Sequence, residues 1–143
     1  MDNLINKALN MDALDLLKKI PDKSIDIVIA DPPYGISYHS GYYKYGNKHK
    51  KIIGDDKLDI PLDLMFSKLK HTGAMFIFYS QKVPLIDERI KDVLIWVKNN
   101  WSAGDLKGTF ANQYEPIAFL PNDKFSFIAG RPSNIIQIEL DML

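Results

Sequence analysis

The chain has 143 residues, 46% hydrophobic and 25% charged, with a net charge of zero. That is enough apolar chain for one cored domain, and it excludes both a disordered composition and the overall basic excess of many nucleic-acid binders. The absence of cysteine excludes disulfides and thiolate metal sites, the three histidines have no ligand spacing, and no apolar run reaches membrane-spanning length.

Leu4 to Ala8 reads as a short first strand. Asn10 is a candidate N-cap for a helix in which Ala13, Leu16, Leu17 and Ile20 recur at i, i+3, i+4, i+7, and Pro21 closes it. Asp12 falls in the first turn of that helix, where a carboxylate suits the dipole. Ile25 to Ala30 is a short β-branched run, the pattern of a buried strand. Asp31-Pro32-Pro33-Tyr34 ends it. Neither proline can donate to a ladder and each holds φ near −65°, so the strand exits into a stiff tip. The tip carries a carboxylate on one side and an aromatic ring on the other. In open α/β sheets, ligands bind beyond such strand ends.

Residues 38–51 have neither helical nor strand period. They interleave Tyr38, Tyr42, Tyr43 and Tyr45 with Lys44, Lys48, Lys50 and Lys51. Rings and cations in alternation suit stacking on bases and tracking of phosphates; they equally suit a solvated loop. The absence of an apolar period predicts a mobile segment from Ser37 to Ile53.

Farther along, Asp59 is a candidate cap before Pro61, and Leu62, Met65, Phe66 and Leu69 again mark one helix face. Gly73 reads as the end of that helix region and Ala74 to Tyr79 as a buried strand. Pro84 suggests a helix start leading to Leu85, Ile86 and Ile90. Val93 to Val97 is a third core strand, Ser102 to Phe110 a loop, and Tyr114 to Leu120 a further strand. Pro121-Asn122-Asp123 is a turn, after which Phe125 to Phe127 reads as a hairpin arm. Ile135 to Leu143 alternates weakly, as a last strand would. Arg131, in Gly130-Arg131-Pro132, is either a phosphate contact or one half of a surface ion pair.

Asp31-Pro32-Pro33-Tyr34 after an apolar strand resembles the catalytic motif of the amino-group DNA methyltransferases, which act on adenine N6 or cytosine N4. Asn10 to Leu14 and Pro21 to Asp26 resemble the lead-in of that family's β group. Gly35-Ile36-Ser37-Tyr38 resembles the usual continuation, Val97-Lys98-Asn99-Asn100 a later element, and Tyr114-Glu115-Pro116-Ile117 the strand that pairs antiparallel near the sheet edge. The resemblance runs from about Leu4 to Arg131. It implies an α/β fold: an incomplete Rossmann-like three-layer sandwich, its sheet mostly parallel with an antiparallel hairpin at one edge. Strands should centre on Ile27, Ile77, Ile95 and Ile117, in one partial catalytic domain over residues 1–143.

It implies, further, transfer of a methyl group from S-adenosylmethionine to adenine N6 in double-stranded DNA, in the cytoplasm and away from membranes. The catalytic residues would be Asp31, Pro32, Pro33 and Tyr34. Asp12, near the cofactor's adenine end, and Asp31 would meet the cofactor. Tyr38, Tyr42, Lys44, Lys48 and Arg131 would meet DNA, and no metal is implied. Aspartate at the first motif position points toward adenine, since serine is the commoner cytosine-type residue. The family's glycine-rich cofactor turn has no counterpart, for no Gly-x-Gly occurs among the eight glycines. The resemblance therefore implies a truncated or split form with an incomplete cofactor pocket, completed by a second half, and an open edge at Ile25 to Ala30 that is covered either by Leu4 to Ala8 or by pairing in a homodimer. The alternatives are an inactive remnant that binds DNA or protein, and the same chemistry directed at RNA or a protein amide.

Overall fold

The computed structural model describes residues 4–37, 53–99, 108 and 110–137. Its elements are α1 (Ala13–Lys19), β1 (Ile25–Ala30), α2 (Leu62–Lys68), β2 (Leu69–Phe78), β3 (Asp92–Val97), β4 (Tyr114–Pro121) and β5 (Ile135–Gln137). The strands form one sheet in the order β1-β2-β4-β3-β5. β1 pairs parallel with β2 and β3 with β5, while β4 pairs antiparallel with both β2 and β3. Four strands therefore run one way. The single reversed strand lies inside the sheet, not in a hairpin at its edge. Ile27, Ile77, Ile95 and Ile117 each fall in a separate strand, as the sequence indicates.

One face of the sheet carries the core. Met75 and Ile77 of β2 and Ala118 and Leu120 of β4 are buried there with Met65 and Leu69. Leu17 of α1, Phe66 of α2 and Val28 and Ala30 of β1 close over them. Each fully buried Leu, Ile or Met side chain among them contributes about 1.5–3 kcal/mol, an upper bound given a compact unfolded chain. The opposite face carries Phe76 and Phe119, 5.1 Å apart, and Phe78 against Trp96 at 6.0 Å. No helix covers that face among the described residues. Phe125 and Phe127 fold onto Phe119 there. The three-layer arrangement is thus incomplete, as expected: helix, sheet, and a partial aromatic layer.

Several local expectations are corrected. Residues 4–10 form a turn and irregular chain rather than a strand. Asp12, not Asn10, caps α1, because its Oδ1 accepts from the Leu14 and Asp15 amides at 2.9 and 3.3 Å. Asp59 does not cap α2; Pro61 holds that position with no side-chain bond, and Asp59 pairs with Lys57. Gly73 does not end a helix but lies inside β2, which begins at Leu69 directly from α2. There the β1–β2 register slips between Ile25 and Ile27, and a side chain at Gly73 would press on the carbonyl oxygens of Ile25 and Asp26. Glycine is what lets the two backbones meet. Residues 84–91 form no helix, and Phe125 to Phe127 no strand. The last strand is present as Ile135–Gln137. The mobile segment expected between Ser37 and Ile53, and most of the loop from Ser102 to Phe110, lie outside the described residues.

Candidate active site at the end of the first strand

β1 delivers Asp31 to the carboxyl end of the sheet. Two consecutive prolines stop the ladder, and Gly35 and Ser37 then turn the chain with φ of 70° and 48°. Glycine suits the first of these positions for two reasons. Its φ is positive, and a Cβ there would overlap the backbone of Lys57 and Leu58. The turn brings the Tyr34 hydroxyl back to donate to Asp31 Oδ1 at 2.6 Å. Burial, then the hydrogen bond and charge of Asp31, then the charge of Glu115, raise the Tyr34 phenol well above its ordinary value of 10. Tyr34 therefore stays a neutral donor to the aspartate at any physiological pH.

An open cleft of about 440 Å³ lies at this tip, lined by Asp31, Pro32, Pro33, Tyr34, Ile36, Asp55 and Glu115. All four motif residues meet in it. Asp55 and Glu115 were not singled out as site residues by the sequence. Glu115 reaches the cleft because β4 is reversed: its first residues lie where the parallel strands end. It forms an ion pair with Lys98, which follows β3 and also sits 5.4 Å over the Trp96 ring. The motif Val97-Lys98-Asn99 and the motif Tyr114-Glu115-Pro116 were thus separate signals of one structural pair. Asp55 is 2% exposed and accepts the Gly35 and Ile36 amides through Oδ1 at 2.9 and 3.3 Å. Its own signal was only a lone Asp-Asp beside a long irregular stretch.

Other candidates fall elsewhere. Asp12 is engaged in capping α1 and does not line the cleft. Arg131 is exposed and makes no ion pair among the described residues. The connection that carries it joins the end of β4 to the start of β5, at the end of the sheet remote from the cleft. Tyr38, Tyr42, Lys44 and Lys48 lie outside the described residues. Among those described, no group of acidic or histidine side chains is placed to hold a metal, and no helix is long and apolar enough to cross a membrane.

The lining favours particular ligands. Prolines and Tyr34 offer flat apolar surface, and of the three lining carboxylates Glu115 is paired with Lys98 while Asp55 accepts backbone amides. A planar base and a cationic group both suit that combination.

No family model matches the chain. In sequence it is similar to the DNA adenine methyltransferase YhdJ of Escherichia coli (strain K12), 32% identical over 126 aligned positions that take in 78% of this chain and 40% of that protein. In structure it is similar to the M1.HpyAVI–SAM complex, with a TM-score of 0.56 at 18% identity over 87% of this chain and 58% of the other. It is likewise similar to the PvuII cytosine-N4-specific DNA methyltransferase, with a TM-score of 0.58 at 19% identity over 90% of this chain and 55% of the other. The chain thus spans two fifths of the curated relative and little more than half of these two structures.

Proposed function

We propose that this chain, a member of the amino-group DNA methyltransferase family by its sequence and its fold, presents the target adenine in S-adenosylmethionine-dependent methylation of DNA at N6. The observation that carries the reading is the bonded pair of Asp31 and Tyr34 on the rigid Pro32-Pro33 tip of β1, open to a cleft.

The exocyclic amine of adenine is a poor nucleophile, since its lone pair is delocalised into the ring. Asp31 accepts one amine N–H through Oδ2, because Tyr34 already holds Oδ1. The Pro32 carbonyl accepts the other. Together they draw the nitrogen toward a tetrahedral shape, with its lone pair aimed away from the ring. A base inside a duplex is out of reach of such a cleft, so it must leave the stack; the Tyr34 ring then replaces its lost neighbours. The cofactor supplies, when bound, an electrophilic methyl group on a sulfonium. Asp31 and Glu115 line the cleft and would favour that positive charge; Asp12, the N-cap of α1 outside the cleft, would serve the adenine end. The chain's own work is orientation and electrostatics.

Double-stranded DNA is the proposed partner and the cytoplasm the proposed setting. Tyr38, Tyr42, Lys44 and Lys48 are assigned to the duplex flanking the extruded base. Arg131 would meet a phosphate only away from the cleft. The glycine-rich cofactor turn is assigned to a complementing half, since a second copy of this chain would bring no Gly-x-Gly either.

Transfer of tritiated methyl from S-adenosylmethionine to an adenine-containing duplex tests this, with the chain alone and together with a segment carrying the glycine-rich turn. Alone, the chain should bind the cofactor weakly in calorimetry and transfer nothing. With the segment, methylation should appear, and Asp31→Ala should abolish it while leaving the circular dichroism unchanged. Duplex binding without transfer in the combined system would favour the inactive DNA-binding module instead.

A further inference from the structure

We propose that Asp55 is a positioning residue for this reaction: its buried carboxylate grips the turn after the catalytic tip and so aims Tyr34 and Asp31 at the base. The inference rests on the methyltransferase reading and adds to it a residue that the motif does not contain.

Three contacts make the grip. Asp55 Oδ1 accepts the amides of Gly35 and Ile36, and the Asp55 carbonyl accepts the Ser37 amide at 2.6 Å. Three successive backbone donors therefore end on one residue. Lys57 and Leu58 press on Gly35 from the same side, closely enough that no side chain fits there. A buried carboxylate is retained only where charged hydrogen bonds replace its water, and two of those donors are the amides of Gly35 and Ile36, immediately after Tyr34.

The mechanical consequence follows from the prolines. Pro32 and Pro33 fix φ on the strand side of Tyr34, so the remaining freedom of the ring lies on the Gly35 side. Asp55 removes that freedom. Without the carboxylate, the turn that follows Tyr34 loses the acceptor for two of its amides. Misplacement of a reacting group by about 1 Å costs on the order of 100-fold in rate.

The test compares Asp55→Ala and Asp55→Asn in the combined system that methylates DNA. Asp55→Ala should lower kcat roughly 10- to 100-fold with KM for S-adenosylmethionine unchanged. Asp55→Asn, whose amide oxygen still accepts, should recover most of the rate. A second readout needs no activity. The alkaline absorbance titration of the chain, with Tyr34→Phe subtracted, isolates the Tyr34 phenol. Asp55→Ala should bring its midpoint down toward 10, and Asp55→Asn should not.

A folded Asp55→Ala chain with unchanged kcat and an unchanged Tyr34 midpoint overturns the proposal. A shifted midpoint in a system where the unsubstituted protein transfers no methyl group upholds the grip and sinks the adenine-methylation reading instead. Should Asp55→Ala not fold, hydrogen exchange at Gly35 and Ile36 in the unsubstituted chain decides. Protected amides uphold the proposal, and exchange at free-peptide rates overturns it.

Discussion

The Tyr34 hydroxyl and the Asp31 carboxylate sit three residues apart and share one short hydrogen bond. That bond has a pH consequence with a definite sign. Folding raises the Tyr34 phenol above its unfolded value of about 10, first by burial and then through Asp31. A raised group contributes stability that is complete below the unfolded value and is lost as pH rises toward the folded one. Urea melts should therefore show stability falling from about pH 10 upward, and Tyr34→Phe should remove part of that fall. An identical alkaline profile in the variant would refute the assignment. At this scale the motif was legible because two prolines and a preceding apolar strand leave few conformations. Asp55 and Glu115 were not legible. Each gains its role from a partner far away in the chain, and no local pattern records such a partner.

Residues 84–91 show how a local side chain defeats a helix. Pro84 and the apolar spacing to Ile90 suit one, but Asp87 turns its carboxylate onto the Arg89 amide two residues on, at 2.9 Å. Such a local bond competes with helical pairing. Arg89 then binds Asp87 at 2.8 and 2.6 Å, reaches Asp63 in the first turn of α2 at 2.8 Å, and lies 5.0 Å over the Phe66 ring. These partners hold the Asp87 carboxyl below its ordinary value, chiefly through the Arg89 hydrogen bonds. The Asp87 side chain is 13% exposed, that of Arg89 26% and that of Asp63 95%, so solvent screens the Asp87 pair in part and the Asp63 pair almost wholly. Arg89→Ala should cost about 1.5–3 kcal/mol, the range for hydrogen bonds to charged groups, and thermal melts would measure it. A loss under about 0.5 kcal/mol, the level of ordinary surface changes, would show the cluster to be ornamental. The same competition explains α1, where Asp12 rather than Asn10 reaches the first free amides. The strands were legible from β-branched and aromatic runs. The helix ends were not, because neighbouring polar side chains competed for the same donors.

Across the molecule, β1 is the exposed flank. It pairs only with β2 among the described residues, and Ile27 and Ile29 on its uncovered face are 57% and 72% exposed. Residues 4–10 form a turn and irregular chain and do not supply a strand to cover this edge. That leaves pairing with a strand from another chain, most simply a second copy. An unblunted apolar edge is a template for such pairing, and a charge on it discourages partners. Light scattering should therefore show concentration-dependent association that Ile29→Lys weakens. A monomer at every concentration, in both proteins, would contradict it. The parallel direction of four strands was legible from the family resemblance. The interior place of β4 was not, since pairing order depends on contacts between segments widely separated in sequence.

That place has a temporal meaning. β2 finds one neighbour early, in β1, but its other neighbour is β4, and Met75 pairs with Leu120. β3 likewise waits for β4, with Val93 opposite Ala118. Both pairings wait for a segment made later, since β4 follows β2 and β3 in the chain. On a ribosome, the strands that become the middle of the sheet leave the tunnel with their partner still unmade. Met75 and Ile77, fully buried at the end, then stay uncovered until β4 is made. The cleft is also late to form: Asp31 and Tyr34 emerge early, but Glu115 arrives only with the reversed strand that locks the sheet.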